Sequence, residues 1–300
     1  MRSKARFLSI MAMITLGVGF FAGINATAPN MVISADTYFK DYNLSNFRVM
    51  NPLGFNDEDL KKVQGIPELS YVMESYTKDA FLTFGENQTE VIKLFGFDEK
   101  EHEDGLLLNI PLIEEGRLPV DVGEIVLEEG IGNSGGIELG DMIEIGVPED
   151  QKHGDFFKRK EYEVVGFITS PLYISFERGQ TNIGDGSIAY YGYINEDDFN
   201  MDKVTDIFIK TKESDNLLAF SPEYEDYHQP PLDRLTQFGI DSMAKETKDL
   251  RDELSDGKQE LQENKEEALE ELAKAEQELI DAEQNLRDGE EELNENERKY

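Results

Sequence analysis

The chain has 300 residues, a formal charge of −35, no cysteine and no tryptophan. That length allows one or two domains with an ordinary packed core. The acidity excludes nucleic-acid binding through the net field, and the missing cysteine excludes disulfides, thiolate metal sites and cysteine nucleophiles.

The first predicted element is an apolar helix. Phe7 to Ile24 carries no charge and no proline; Arg2, Lys4 and Arg6 precede it, and the next charge is Asp36. As a helix it spans roughly 27 Å, close to the ~30 Å hydrocarbon core of a bilayer. The basic flank puts the N-terminal side in the cytoplasm and the residues after about 25 outside the cell. A cleaved secretory signal also fits, with Ala26-Thr27-Ala28 as the cleavage pattern. Two features favour a retained transmembrane helix. The run exceeds the usual ~7–15 residues of a signal core. Gly17, Gly19 and Gly23 are small residues of the kind that let membrane helices pack closely. Either way the rest of the chain is exported. Pro29 is expected to kink or restart the helix. Met31, Ala35, Tyr38 and Phe39 recur at helical spacing and extend the first segment over residues 1–40.

Residues 41–215 read as an α+β domain with a mixed sheet. Alternation predicts strands over 46–50, 69–76, 80–84 and 90–96, with a turn at 85–88. Asn56 and the acids after it predict a helix start, and Pro67 a stop. Further strands are expected over 123–128, 140–146, 162–168, 190–194 and 206–210. Gly166, inside one of them, predicts a bulge or sharp bend, and Asn195 caps a short helix. Residues 216–240, with Ser221-Pro222 and Pro230-Pro231, read as an irregular linker. Phe220, Tyr224, Tyr227 and Phe238 are too many aromatics for a free one, so part of it packs.

The pattern changes at Asp241. Residues 241–300 hold 22 acidic and 9 basic residues, a net −13. Leu261, Ala268, Leu272, Ala275, Leu279, Ala282, Leu286, Gly289 and Leu293 follow a heptad seam, broken once near Asn264 or Lys265. A lone helix with so narrow a stripe is marginal in water, so a coiled coil or helical hairpin is expected. Nothing in the sequence stops the helix before Tyr300, which reads as a stalk cut from a longer chain.

Catalysis finds little support. His102, His153 and His228 lie far apart, match no metal-binding spacing and read as surface residues. There is no G-x-S-x-G elbow and no P-loop. No catalytic, cofactor or metal residue is therefore assigned, and any ATP chemistry belongs to another chain. Glu196-Asp197-Asp198 lacks the ligand order of an EF-hand and fits a helix N-terminus better. A carboxylate pair of glycosidase type is the least favoured reading. Ser170 to Gly186, with Tyr173, Phe176, Arg178 and three glycines, reads first as a structural β-excursion and second as a loop that touches a partner.

Several stretches together resemble the FtsX-like (MacB-type) ABC-transporter permeases of Gram-positive bacteria. Arg6-Phe7-Leu8-Ser9-Ile10 and Leu16 to Ile24 look like the first membrane helix of that family. Gly116-Arg117-Leu118-Pro119 before Gly123-Glu124-Ile125-Val126-Leu127 looks like its "GR-x-P…GEIVL" segment. Leu139-Gly140-Asp141-Met142-Ile143 and Tyr162-Glu163-Val164-Val165-Gly166 look like the pair that follows. Ser170 to Gly186 and the Asp-Gly-x-x-Glu-Leu coil resemble the long, coil-bearing branch. The chain departs from the family at Glu129 to Gly136, which is too glycine-rich for a good helix. It also lacks the later membrane helices, as an N-terminal fragment would.

The resemblance implies a permease subunit in the cell membrane. Its extracytoplasmic domain would couple to ATP hydrolysis by a separate cytoplasmic ATPase, for transport or mechanotransmission, beside a second permease copy or paralogue. The alternative is an anchored or secreted surface protein that uses its coil for oligomerisation or adhesion.

Overall fold

The computed structural model describes residues 2–85, 88–175 and 177–297. Glu86 and Asn87 of the expected turn, and Phe176, lie outside the described residues. The chain divides into two compact units, Met1–Phe238 and Gly239–Tyr300.

The first unit opens with α1 (Arg2–Asp41), a single helix with Pro29 inside it. The expected restart at Pro29 does not occur. A proline removes only its own N–H from the ladder, and the turns on either side keep theirs. α1 is long and apolar enough to cross a membrane. Asn56 caps α2 (Asp57–Gln64) in a capping box with Asp59, so the predicted start is found.

Among the described residues the strands are β1 (Phe47–Met50), β2 (Leu69–Ser75), β3 (Thr77–Phe84), β4 (Gln88–Phe97), β5 (Leu112–Gly116), β6 (Glu124–Glu128), β7 (Met142–Gly146), β8 (Glu161–Thr169), β9 (Tyr190–Asn195) and β10 (Asp206–Thr211). They form two sheets. β1, β10 and β2 make an antiparallel three-stranded sheet in that order. The other sheet is mixed, as expected, with β4–β9 and β6–β8 parallel. It also closes. β7 pairs with β3 on one side and β8 on the other, so β8-β6-β9-β4-β3-β7 forms a six-stranded barrel with β5 added outside on β8.

Strand alternation fills the barrel. Leu82, Ile92, Leu94, Ile125, Leu127 and Ile145 face inward and are buried. Their neighbours Phe95, Val126 and Tyr193 face outward into a second core with Met73 and Phe208 of the small sheet. The bulge predicted at Gly166 is present. Ile125 faces Val164 while Val126 faces Gly166, which leaves Val165 as the extra residue. Arg117 lies behind that bulge, and a Cβ on Gly166 would come within 2.4 Å of its carbonyl oxygen.

Three expectations are corrected. The glycine-rich run 129–136 does form a helix, α4 (Glu129–Gly135), after the short α3 (Glu99–Glu103). Low propensity is outweighed by packing: a Cβ on Gly132 would stand 3.0 Å from the Phe167 ring, and one on Gly135 equally close to Phe84. Glycine is what lets α4 lie this near the barrel. The expected irregular linker 216–240 is helical from Pro222, where α5 (Pro222–Glu297) begins. Ser221 Oγ accepts from Tyr224 N at 3.1 Å as its cap. Pro230 and Pro231 would cost about 3 kcal/mol each in an isolated helix. Here Leu235 is buried against the small sheet with Phe55, Val63 and Ile207, and that apolar face holds the helix through them. His228, expected at the surface, is buried on the same face.

The second unit is the remainder of α5. Among the described residues it is one uninterrupted helix, with Ser242 and Glu246 half-buried and the described side chains from 247 onward exposed.

Candidate functional site: the junction at the end of the apolar helix

The most interconnected polar cluster lies where α1 ends, β1 begins, β10 ends and α5 starts. Asp36 and Lys40 stand one turn apart on α1. Lys40 Nζ donates to Asp36 Oδ2 at 2.8 Å and to the carbonyl of Leu217 at 3.1 Å. The other Asp36 oxygen accepts from the buried N–H of Ala219 at 2.9 Å. Phe39 packs edge-on against Phe220, which holds a left-handed φ of 63°. The last turn of α1 is thereby tied to the segment that leads into α5.

Asn46 makes the next link. Its Oδ1 accepts from Thr211 N at 2.8 Å, and its Nδ2 donates to the Tyr224 hydroxyl at 2.9 Å. One side chain thus joins the residue before β1, the end of β10 and the first turn of α5. His228 closes the ring, with Nδ1 donating to the Tyr224 carbonyl at 2.7 Å and Nε2 2.9 Å from Thr211 Oγ1. Burial pushes its pKa down. On the far side, the turn after α1 is bonded to the core through Asn109 N to Asn43 O and Ile110 N to Tyr42 O.

A cavity of about 30 Å³ remains, walled by Asp36, Lys40, Asn46, Lys210, Asp215 and Tyr224. That is room for one water. Its charges are paired, Lys40 with Asp36 and Lys210 with Asp215. The side chains of the junction are bonded to one another and to backbone groups of the neighbouring segments.

The sequence-assigned residues fall elsewhere. Gly17, Gly19 and Gly23 lie on exposed α1, with nothing within 4 Å of a Cβ built on any of them. The seam residues Leu261, Ala268, Leu272, Ala275, Leu279, Ala282, Leu286 and Leu293 lie on α5, all exposed. The junction itself was missed in the sequence, although Asp36 and Lys40 four apart at the end of an apolar run, and the aromatics after Phe220, were its signal.

The motif residues turn out to be structural. The Glu124 carboxylate is forked by Arg117 and accepts from the N–H groups of Val120 and Asp121 at 3.1 Å each. Arg117 beside it holds its pKa below the usual carboxylate range. In the 170–186 stretch Tyr173 stacks on Tyr191 at 4.4 Å and Arg178 pairs with Glu128, which fits a structural excursion. Asp198, of the acidic triplet, is buried and paired with Arg159. A surface cleft of about 580 Å³ is lined by Glu114, Glu115, Glu129 and Glu138 over Ile137, Leu139 and Phe167. These carboxylates are exposed and solvated. Among the described residues no group of three His, Cys, Asp or Glu is placed to hold a metal ion.

No protein-family model matches the chain, and no curated protein matches it. Three solved structures similar to it are parts of transporter and permease proteins. The extracellular domain of the noncanonic ABC-type transporter YknZ from Gram-positive bacteria is 15% identical over 59% of this chain and 86% of that one, at a TM-score of 0.32. The periplasmic region of MacB from Actinobacillus actinomycetemcomitans is 12% identical, covering 64% and 76%, at 0.32. A domain of a putative permease protein from Porphyromonas gingivalis is 11% identical, covering 66% and 72%, at 0.30. Likeness of that degree carries no argument about activity, which rests on the residues.

Proposed function

We propose that this chain is a permease subunit of an ABC transporter. In this reading α1 spans the cell membrane and the barrel domain stands outside. ATP hydrolysis by a separate cytoplasmic ATPase subunit drives transport or mechanotransmission, with a second permease copy or paralogue alongside. Gly17, Gly19 and Gly23 would face neighbouring membrane helices, since a glycine surface lets backbones approach closely.

The observation that carries the proposal is the junction. Asp36 and Lys40 bind backbone groups of Leu217 and Ala219, and Asn46 binds both Thr211 and Tyr224. A shift or rotation of α1 therefore cannot be absorbed in a slack linker. It moves the small sheet and the first turns of α5 together. A protein that needed only an anchor would have no use for that stiffness.

The test uses a chain without native cysteine. Ser3→Cys and Asp104→Cys are introduced singly and treated in intact cells with a membrane-impermeant maleimide. Labelling at 104 and protection at 3, with the chain in the membrane fraction and an ABC ATPase retrieved with it from solubilised membranes, is the expected result. A mature N-terminus at Ala28 or Pro29 would overturn the proposal.

A further inference from the structure

With a neutral His228 ring, the contacts around Thr211 are one proton short. Thr211 and His228 are both buried, so bulk water does not make up the count. Asn46 Oδ1 accepts from the Thr211 N–H at 2.8 Å, which fixes that atom as the oxygen of the amide, able only to accept. The Thr211 hydroxyl lies 3.1 Å from the same oxygen and 2.9 Å from His228 Nε2. Its single proton serves one of them at a time. The other ring nitrogen has no choice. Nδ1 faces the Tyr224 carbonyl at 2.7 Å and must carry a proton.

Two arrangements follow. On a neutral ring Nε2 is a bare acceptor. The hydroxyl then turns to it and the contact with Asn46 goes unbonded; the reverse would leave two lone pairs 2.9 Å apart. On a protonated ring Nε2 donates to the hydroxyl oxygen, and the hydroxyl proton turns to Asn46. Every contact is then a hydrogen bond. The added proton comes from solvent and stays on Nε2.

The geometry points to a proton-operated switch in the junction: protonation of His228 turns the Thr211 hydroxyl from the ring to Asn46, and so tightens the side chain that joins β1, β10 and α5. The inference uses these hydrogen bonds alone and stands whether or not the chain is a permease. The ring is faced by Phe47, Tyr224 and Tyr227 and by the Thr211 hydroxyl, none of them charged. Asp36 and Lys40 of α1, Lys210 of β10 and Asp215 stand around Tyr224 and are paired among themselves. Burial therefore dominates over the bond to the Tyr224 carbonyl and puts the His228 pKa below 6.5, so the switch turns toward Asn46 as the medium becomes acidic.

The test is an NMR titration of the full chain in detergent micelles, with nitrogen-15 in its histidines, asparagines and threonines. There are three histidines, and His228→Gln identifies the ring signal. At pH 8 the expected ring is neutral with its proton on Nδ1. As the ring titrates, the Asn46 side-chain amide and the Thr211 N–H move with the same midpoint. Thr211→Val removes the hydroxyl at nearly constant shape. The acid dissociation constant of His228 should then rise about fivefold, because a hydrogen bond to a charged ring is stronger than one to a neutral ring by about that factor. The Asn46 amide should lose most of its response, and Thr211→Ser should restore both. If Thr211→Val does not fold, the wild-type titration decides alone. A neutral ring protonated on Nε2, an Asn46 amide that stays still while His228 titrates, or an unchanged dissociation constant in folded Thr211→Val would overturn the proposal.

Discussion

Asp36→Ala is the sharpest probe of the junction. The side chain is largely buried and serves two partners: the Lys40 ammonium at 2.8 Å and the Ala219 amide at 2.9 Å. Truncation leaves the Ala219 N–H buried without an acceptor, which costs about 1–3 kcal/mol. Losing the ion pair adds less than about 1 kcal/mol, because Lys40 is partly exposed and keeps its bond to Leu217 O. The expected loss is about 2 kcal/mol in urea unfolding followed by tyrosine fluorescence. Asp36→Asn separates the two contributions. Its amide oxygen can still accept from Ala219, so only the charge is lost and the change stays below about 1 kcal/mol. Hydrogen exchange locates the effect: the Ala219 amide loses protection in the alanine variant and keeps it in the asparagine variant. Equal destabilisation by both substitutions, or unchanged protection at Ala219 in Asp36→Ala, would refute the idea that this carboxylate holds α1 to the segment before α5.

Glycine substitutions in α4 should have opposite signs. Gly132→Ala gains about 1 kcal/mol of helix propensity but forces a methyl to 3.0 Å from Phe167, and overpacking of about 1–3 kcal/mol makes it net destabilising. Gly130→Ala meets nothing closer than 3.8 Å and should stabilise by up to about 1 kcal/mol; thermal melts of both variants check the pair. Burial, with Asp98 and Glu101 nearby, pushes Glu196 up to about 7 from an ordinary 4.5. The folded chain then holds this proton more tightly than the unfolded one, so its contribution is present below pH 4.5 and is lost as pH rises through 7. Glu196→Gln should stabilise at pH 8 by about 1 kcal/mol, allowing for screening at a half-exposed site, and do nothing at pH 4. His228 behaves in the opposite way. Its pKa is depressed from 6.5, so stability is present above that value and falls as pH drops, a slope that His228→Gln should flatten in urea titrations.

What the sequence made legible was local. The charge-free run in α1, the Asn56 cap and the glycine bulge in β8 each depend on residues a few positions apart, and each was found where expected. What it concealed was long-range. Closure of the barrel depends on β7 meeting both β3 and β8, and no single strand announces two partners. Pro230 and Pro231 are strong local breakers, and only the surface offered by Phe55, Val63 and Ile207 overrides them. The glycines of α4 read as poor helix formers until Phe84 and Phe167 are seen against them. His228 looked exposed because it stands in a proline-bearing stretch that reads as a linker; its burial follows from a helix that the prolines hid. The junction was half-visible, since its ion pair is local but its backbone partners lie some 180 residues away.

Chain order has a consequence for how this domain is born. β1 pairs with β10, Phe47 opposite Ile209, and β4 runs parallel to β9, Ile92 opposite Tyr190. Neither pairing can form until the later strand has been synthesised, and separations of this kind slow folding. If α1 is held in the bilayer during synthesis, β1 emerges next to the membrane and must wait there for almost the whole domain to follow. The half-made barrel meanwhile exposes Ile92 and Leu94 and the edges of strands that end up paired, a state open to aggregation. The last strand to arrive, β10, completes the small sheet, and Thr211 at its end reaches Asn46 at the same time. Folding and attachment to the membrane helix would then be one late event, which makes the export machinery or a chaperone outside the membrane the natural guardian of the unfinished chain.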